Sequence, residues 1–544
     1  MKTPNQSTAS RSLGSGRPAT AWSPLRLPLF RALWAASVIS NIGTWVHNTA
    51  AAWLMTSLSM SPLLISLVQT ATTLPIFLLA LPAGALADVV DRRRLILFTQ
   101  IWMLVSALGL GLLTLSGHVT PWMLLFLTFA LSIGSALNAP AWQAIIPELA
   151  PGDDLHGAIA LNSAGFNIAR AVGPALGGIL VGAAGTASAF LVNSASFLGV
   201  VWTISRWRRT PRESRLPAEH IVGAMRAGMR YVRHAPVLAS VLVRGAAFII
   251  CANALMALLP TLARHELGLD SIGYGLLLGS FGAGAVAGAL VLPRVRQKAS
   301  LDLLVAGAST LFAASLTCLA LVKNIFLLHI AVALGGGAWL VVLSSLNASV
   351  QATAPSWVLG RALSIHLLVI FGGMAVGSAF WGAAASFTSV RSAYLVAAGG
   401  MIAGLATGIR YRLASVGKLD LTPAMHWEEP VTVMKPRPDE GPVLVTVEYF
   451  VNPVRAPEFM DAMERLRRVR LRDGAIRWEI FVDSNDPTRF MELFVVDSWM
   501  EHLRQHERIT MEDRKVEDLV RSFHLIDAPP RITHLLAKKF PLKM

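Results

Sequence analysis

The sequence predicts an all-α membrane protein of twelve transmembrane helices in two six-helix pseudo-symmetric halves, followed by a C-terminal α+β ferredoxin-like cytoplasmic domain. Three observations predict it. Hydrophobic residues make up 54% of the 544 and charged residues only 15%, against roughly a quarter charged in soluble globular chains. Apolar runs of lipid-crossing length recur between residues 32 and 409. Beyond residue 413 prolines and charges gather, and a soluble alternation of strand and helix patterns begins.

In chain order, residues 1–27 are rich in Ser, Thr, Pro and Arg, lack the apolar core of a cleavable signal and read as a disordered cytoplasmic tail. Residues 28–205 hold the first six spans, near 32–56, 62–87, 95–116, 121–146, 158–183 and 187–204. A basic cytoplasmic linker occupies 206–235. Residues 236–412 hold the second six, near 237–260, 273–293, 301–322, 325–347, 362–384 and 391–409. A second linker, 413–440, leads to a soluble domain over 441–538.

The net charge of +15 is distributed in a way that opposes nucleic-acid binding, because the bases sit at the ends of apolar runs. Arg26, Arg31, Arg92–Arg94, the cluster from Arg206 to Arg215, Arg294, Arg296, Lys298, Arg361, Arg410 and Arg412 fall on one side, and only Arg264, Lys323 and Arg391 on the other. Excess basic charge marks the cytoplasmic face. Both termini are therefore expected inside, in a multi-pass protein of a bacterial-type cytoplasmic membrane. Cys251 and Cys318 lie within apolar runs and imply no disulfide framework.

Between the second and third spans runs Gly84-Ala85-Leu86-Ala87-Asp88-Val89-Val90-Asp91-Arg92-Arg93-Arg94. A carboxylate at a helix end beside massed arginines reads as a hinge that latches onto a neighbour, or as an ordinary basic loop. An internal repeat supports duplication. Gly84-Ala85-Leu86 recurs as Gly288-Ala289-Leu290, Ala150-Pro151 as Ala354-Pro355, Gly173 and Gly178 as Gly377 and Gly382, and Leu191-Val192 as Leu395-Val396, at one constant offset. Duplicated halves about a central axis suit alternating access.

On these residues the chain resembles a major facilitator superfamily transporter over roughly 28–410. Gly84, Leu86, Ala87 and Asp88 with Arg92 and Arg93 resemble that superfamily's loop motif, and Gly173-Pro174-Ala175-Leu176-Gly177-Gly178 its fifth-helix antiporter motif. Ser40-Asn41-Ile42-Gly43-Thr44-Trp45, Asn162 and Asn167-Ile168-Ala169-Arg170 are similar to the enterobactin-exporter-like branch, the transmembrane secretion effectors. Asp91 stands where the superfamily usually has glycine, and helix four carries Gly134, Asn138 and Pro140 in place of an arginine. The resemblance implies export of a small amphiphilic compound, drug-like or siderophore-like. The second reading is a membrane-anchored monooxygenase-like enzyme or sensor with the helices as tether.

Ionisable and polar groups at membrane depth are the site candidates. Arg170, mid-span, is read as an anion site or a structural donor. Asn41, Trp45, Asn138, Trp142 and Asn347 complete the substrate-binding set, with helix–helix glue as the competing role for each polar member. Gly84, Asp88, Arg92, Arg93, Gly173, Pro174 and Gly177 form the gating set. Arg244 is shallow enough to snorkel, so a structural role is expected of it, and Trp339 is expected to wall a cavity. No acid lies near a span centre, which leaves His47, His329 and His366 as buried titrating groups.

The tail reads β-α-β-β-α-β and resembles small dimeric α+β barrels of the antibiotic-biosynthesis-monooxygenase type. It is expected to pair two chains or to regulate, not to catalyse. His502 and His506 lie one turn apart, the spacing of a metal pair, yet read as a solvated charged face. No catalytic residues, no metal and no cofactor are expected.

Overall fold

A computed structural model describes residues 22–150, 152–207, 229–231, 233–413, 420–424, 426–427 and 436–538, with Asp88 and Val89 by backbone alone. The tail read over 1–27 and the linkers read over 206–235 and 413–440 fall mostly outside these residues.

The helical part comprises α1 (Pro28–Leu58), α2 (Pro62–Val89), α3 (Arg92–Leu115), α4 (Pro121–Leu149), α5 (Leu155–Arg206), α6 (Pro236–Thr261), α7 (Ser271–Arg296), α8 (Leu301–Leu321), α9 (Ile325–Thr353), α10 (Ser356–Phe387) and α11 (Val390–Gly404). Proline opens α1, α2, α4 and α6 at a position where its missing N–H costs nothing. Asp91, Thr120, Asp270, Ser300, Asn324 and Ser389 cap the helices that follow them. Such side-chain caps satisfy amide groups that lipid cannot.

Ten helices among the described residues are long and apolar enough to cross a membrane. One of them contains α5, whose 52 residues would run about 78 Å at 1.5 Å per residue, far more than one crossing. Gly185 divides it, with φ 78° and ψ 169°, a conformation glycine adopts without the Cβ penalty. The expected spans 158–183 and 187–204 flank that break. The 31-residue α1 is not among the ten.

The repeat has a spatial counterpart. In α5, a Cβ on Gly173 would strike Trp45 of α1, and one on Gly178 would lie 2.8 Å from the Gly275 Cα of α7. In α10, Gly377 meets Ile250 and Asn253 of α6, while Gly382 meets Ser66 and Leu63 of α2. Each half therefore presents one glycine-faced helix to its own first helix and to the opposite half's second. Small residues allow this backbone approach, which in lipid replaces hydrophobic burial as the packing force.

The tail holds β1 (Val443–Phe450), α12 (Ala456–Asp473), β2 (Ala475–Val482), β3 (Arg489–Val496), α13 (Trp499–Arg508), α14 (Met511–Arg521) and β4 (Arg531–Leu536). Its antiparallel sheet has the order β2-β3-β1-β4. The alternating burial of β1 and β3 puts one face against Phe459, Met463 and Leu466 of α12. His502 is 1% exposed, so the solvated face expected for it is corrected. The tail docks on the helices: the Arg508 guanidinium lies 4.6 Å from the Trp357 ring centre, and Arg230 pairs with Glu501 at 2.9 Å.

Candidate functional site

The candidate site is the seam between the halves, built where α5 meets α7 and α10 meets α2. Pro174 removes one backbone donor inside α5, and glycines on both sides of it let the helix lie between two neighbours. Gly173 and Gly177 face Ile42, Trp45, Val46 and Thr49 of α1. Gly178 and Gly182 face Ser271, Ile272 and Gly275 of α7. Of the residues expected to gate, Gly173 and Gly177 thus pack α5 on α1 inside the first half, while the Pro174 carbonyl faces Gly275 across the junction of the halves.

At the end remote from the N-terminus, aromatic and polar contacts cross the seam. Trp53 of α1 stacks on Tyr274 of α7, ring centres 5.6 Å apart and planes at 20°. Arg264, in the π-helical turn after α6, lies 5.1 Å from the Trp53 ring and donates to Thr56 Oγ1 at 3.2 Å. Leu63 N donates to Ser386 Oγ at 3.1 Å and Thr70 Oγ1 to the Ala375 carbonyl at 3.1 Å. Within the second half, Arg391 pairs with Glu266 at 2.5 Å at the same end. Sequence reasoning did not single out Trp53 or Tyr274. Each stands near a span end, where an aromatic reads as an interfacial anchor until the opposite half is in place.

Arg170 lies on this seam. Gly282 of α7 packs against the Arg170 carbonyl and Ala171, and the half-buried Arg170 side chain has no hydrogen bond or ion pair among the described residues. A guanidinium left unpaired at mid-span is expensive in lipid and useful only toward an anionic or hydrogen-bond-accepting group. Asn167 and Ser163, one and two turns earlier on α5, are exposed, as are Gln143 of α4 and Asn347 and Gln351 of α9.

The other candidates divide. Asn138 accepts from Thr99 Oγ1 at 3.0 Å, and Trp142 donates to Asn162 Oδ1 at 3.2 Å, so both join helices within the first half. Trp45 packs against Gly173, and Asn41 is half-buried on α1. Trp339 is buried among Phe248, Phe281 and Phe312, which corrects the cavity wall expected of it. Arg244 is 6% exposed and pairs with Asp302, a structural role as expected, held by an ion pair and not by reaching into solvent. His329 Nδ1 sits 2.7 Å from Ser280 Oγ. His47 is fully buried against Phe190 with neither ring nitrogen bonded, and His366 is buried with Nδ1 unbonded.

In the loop motif the arginines clamp their own half. Arg92 Nη1 meets Glu148 Oε1 at 2.9 Å and the Ala144 carbonyl at 3.2 Å. Arg93 donates to the carbonyls of Ile204 and Ser205 at 3.0 and 2.6 Å. Asp91 caps α3 through Arg94 N, and nothing lies within 4 Å of where a Gly84 Cβ would be. The Asp88 side chain is outside the described residues.

The family described as transmembrane secretion effector matches residues 19–541. An uncharacterized MFS-type transporter of Bacillus subtilis is 34% identical over 179 residues, 31% of this chain and 41% of its own length. The multidrug efflux pump Tap of Mycolicibacterium fortuitum is 29% identical over 224 residues, 40% of this chain and 53% of the pump. These matches span less than two thirds of those relatives. The enterobactin exporter EntS of Citrobacter koseri is 25% identical over 382 residues, 70% of this chain and 90% of the exporter. Among solved structures, the nucleoside transporter NupG aligns with a TM-score of 0.56 at 12% identity, covering 71% of this chain and all of that one. A bacterial homologue of the lysosomal transporter Spinster aligns at 0.54 and 15% identity, covering 71% and 95%. At such identities the likeness concerns the fold alone.

Proposed function

The chain belongs to the transmembrane secretion effector family of major facilitator transporters, and on that premise we propose that it exports a small amphiphilic compound by alternating access. The observation that carries this reading is Arg170 at the glycine-faced seam, without a partner among the described residues, below a far end closed by Trp53, Tyr274 and Arg264. Helices that meet through glycines can rock, and a charge at the rocking axis can meet cargo from either side. The exposed Ser163, Asn167, Gln143, Asn347 and Gln351 line the path to it, since polar groups at this depth avoid lipid.

Under this reading there are twelve crossings, counting α1 and both arms of α5, and both termini are cytoplasmic. Asn41, Trp45, Asn138, Trp142, Arg170 and Asn347 serve cargo, and the loop and fifth-helix motifs serve the gate. Relatives named for enterobactin export and multidrug efflux support a siderophore-like or drug-like cargo. Uptake of dyes and catecholates into everted vesicles, with and without a pH gradient, tests it. No accumulation above vesicles lacking the protein, across both classes, would overturn it. Pairing of two chains through the tail belongs to the same reading, and light scattering with and without residues 441–538 tests that.

A further inference from the structure

The tail domain buries a charged network that the pathway does not use. Alternation along β3 turns Phe490, Glu492, Phe494 and Val496 inward, so Glu492 is sealed in the core at 0% exposure. It accepts from Trp478 Nε1 at 2.9 Å, from the Tyr449 hydroxyl at 3.1 Å and from Arg470 Nε at 3.0 Å. Arg470, on α12, reaches on to Glu517 of α14, with Nη1 2.6 Å from Oε1. Replacing buried ion pairs by apolar side chains of similar volume is often neutral or stabilising, so a buried network of charges is weak evidence of a purely folding role.

The second carboxylate oxygen of Glu517 is taken by a segment from outside the sheet-and-helix unit. His426 Nε2 sits 2.7 Å from Oε2, and Trp427 Nε1 donates to the same atom at 3.0 Å. The Trp427 ring lies 4.9 Å from the Arg470 guanidinium and meets the His506 ring edge-on at 4.8 Å. Cation–π contact, an aromatic edge and a carboxylate acceptor together hold the indole. All three features recognise any flat aromatic ring with a donor on its edge. The apolar core of the domain closes around Phe459, Met463, Leu466 and Phe494 without Trp427.

We propose that the slot bounded by Arg470, His506 and Glu517 binds a planar aromatic ligand bearing an N–H or O–H donor, and that Trp427 is its tethered competitor. Two acidic side chains face a single guanidinium here, which selects neutral or cationic aromatics over carboxylated ones. His506 adds no positive charge: burial, with His534 and Arg470 nearby, pushes its ring down to about 4. This inference is independent of what the helices carry.

The test uses the full chain in lipid nanodiscs, with tryptamine and indole-3-acetate as calorimetric probes. Trp427→Ala is expected to raise tryptamine affinity at least tenfold over wild type, with little gain for indole-3-acetate. Adding Glu517→Gln to that variant removes the gain. Hydrogen exchange of β1 and β3 reports whether the domain remains folded. If Trp427→Ala keeps those strands protected and binds tryptamine no tighter than wild type, the slot is not a binding site. If it loses protection, Trp427→Leu decides, because it keeps apolar bulk in place but offers the slot neither a ring nor a donor. A tryptamine gain in that variant supports the proposal, and none overturns it.

Discussion

Trp53 and Tyr274 come from opposite halves and lie ring on ring, 5.6 Å apart, with the Arg264 guanidinium beside the Trp53 ring. Both aromatics are largely buried, so parting them exposes apolar surface and forfeits stacking worth about 1 kcal/mol. Under the proposed function the pair closes the far end. Trp53→Ala is expected to cut transport at least severalfold and to let a membrane-impermeant thiol reagent reach a cysteine placed at Thr70. Unchanged labelling would show that the stack seals nothing.

Gly178 and Gly275 approach so closely that a Cβ on either lies within 2.8 Å of the other's Cα. Neither neighbour is a side chain that can rotate away, so the helices themselves must separate. Overpacking of this kind costs about 1–3 kcal/mol. Gly275→Val should abolish transport in protein that still inserts, while Gly109→Ala, with nothing within 4 Å of its Cβ position, should be neutral. Equal activity of the two variants in a vesicle assay would remove the seam from the mechanism.

Arg170 has a different signature. If it meets cargo, Arg170→Lys should keep part of the transport of anionic substrates and Arg170→Gln should lose at least tenfold, with cationic dyes little affected. A loss equal for both cargo charges would make it a structural donor instead. Competition assays with paired anionic and cationic dyes separate the outcomes.

Much of this was legible before any coordinates. The apolar runs mark the helices because lipid leaves no alternative way to satisfy a backbone, and Gly185 sits between two runs that together are too long for one crossing. Glu492 stayed unread: an acid alternating with Phe490 and Phe494 shows its core position only once the structure fixes the inward face of β3. What stayed hidden depends on distant partners. Trp53 looks like an anchor until Tyr274 is beside it. His502 looked solvated because α13 buries Trp499, His502, Gln505 and Arg508, a mainly polar stripe that hydrophobic periodicity does not register. Arg92 pointed toward Asp88 in sequence, whereas its described partner Glu148 lies on another helix.

The docked tail gives a fourth outcome. Arg508 is 5% exposed, sits over Trp357, and pairs with Glu501 at 2.6 Å, which also holds Arg230. Trp357→Ala removes the aromatic platform, a contact worth about 1–2 kcal/mol when desolvated. Hydrogen exchange should rise in α13 and around Tyr231, while the strands stay protected. If exchange in α13 is unchanged, the tail is held by other contacts.

Acid sensitivity of the tail follows from its histidines. Burial, with His506 and His534 adjacent, pushes His502 down to about 3, and His506 lies at about 4. Both folded values sit below the ordinary 6.5, so unfolding between pH 6.5 and 4 takes up protons and stability falls as pH falls through that window. Asp473 opposes them: burial, only partly offset by Arg472, pushes it up to about 6, so its stabilising share is complete below its unfolded value of 3.8 and fades as pH rises through 6. Burial lowers His534 as well, so the uptakes outnumber the single release and stability falls as pH falls through that window. The urea midpoint of the tail in the full chain, read by exchange pulses at one fixed pH on residues 443–536, should therefore drop as samples are equilibrated from pH 6.5 to 4.5. His502→Gln should flatten the dependence and Asp473→Asn should steepen it. A midpoint that rises on acidification would mean that the carboxylate, not the histidines, governs the fold.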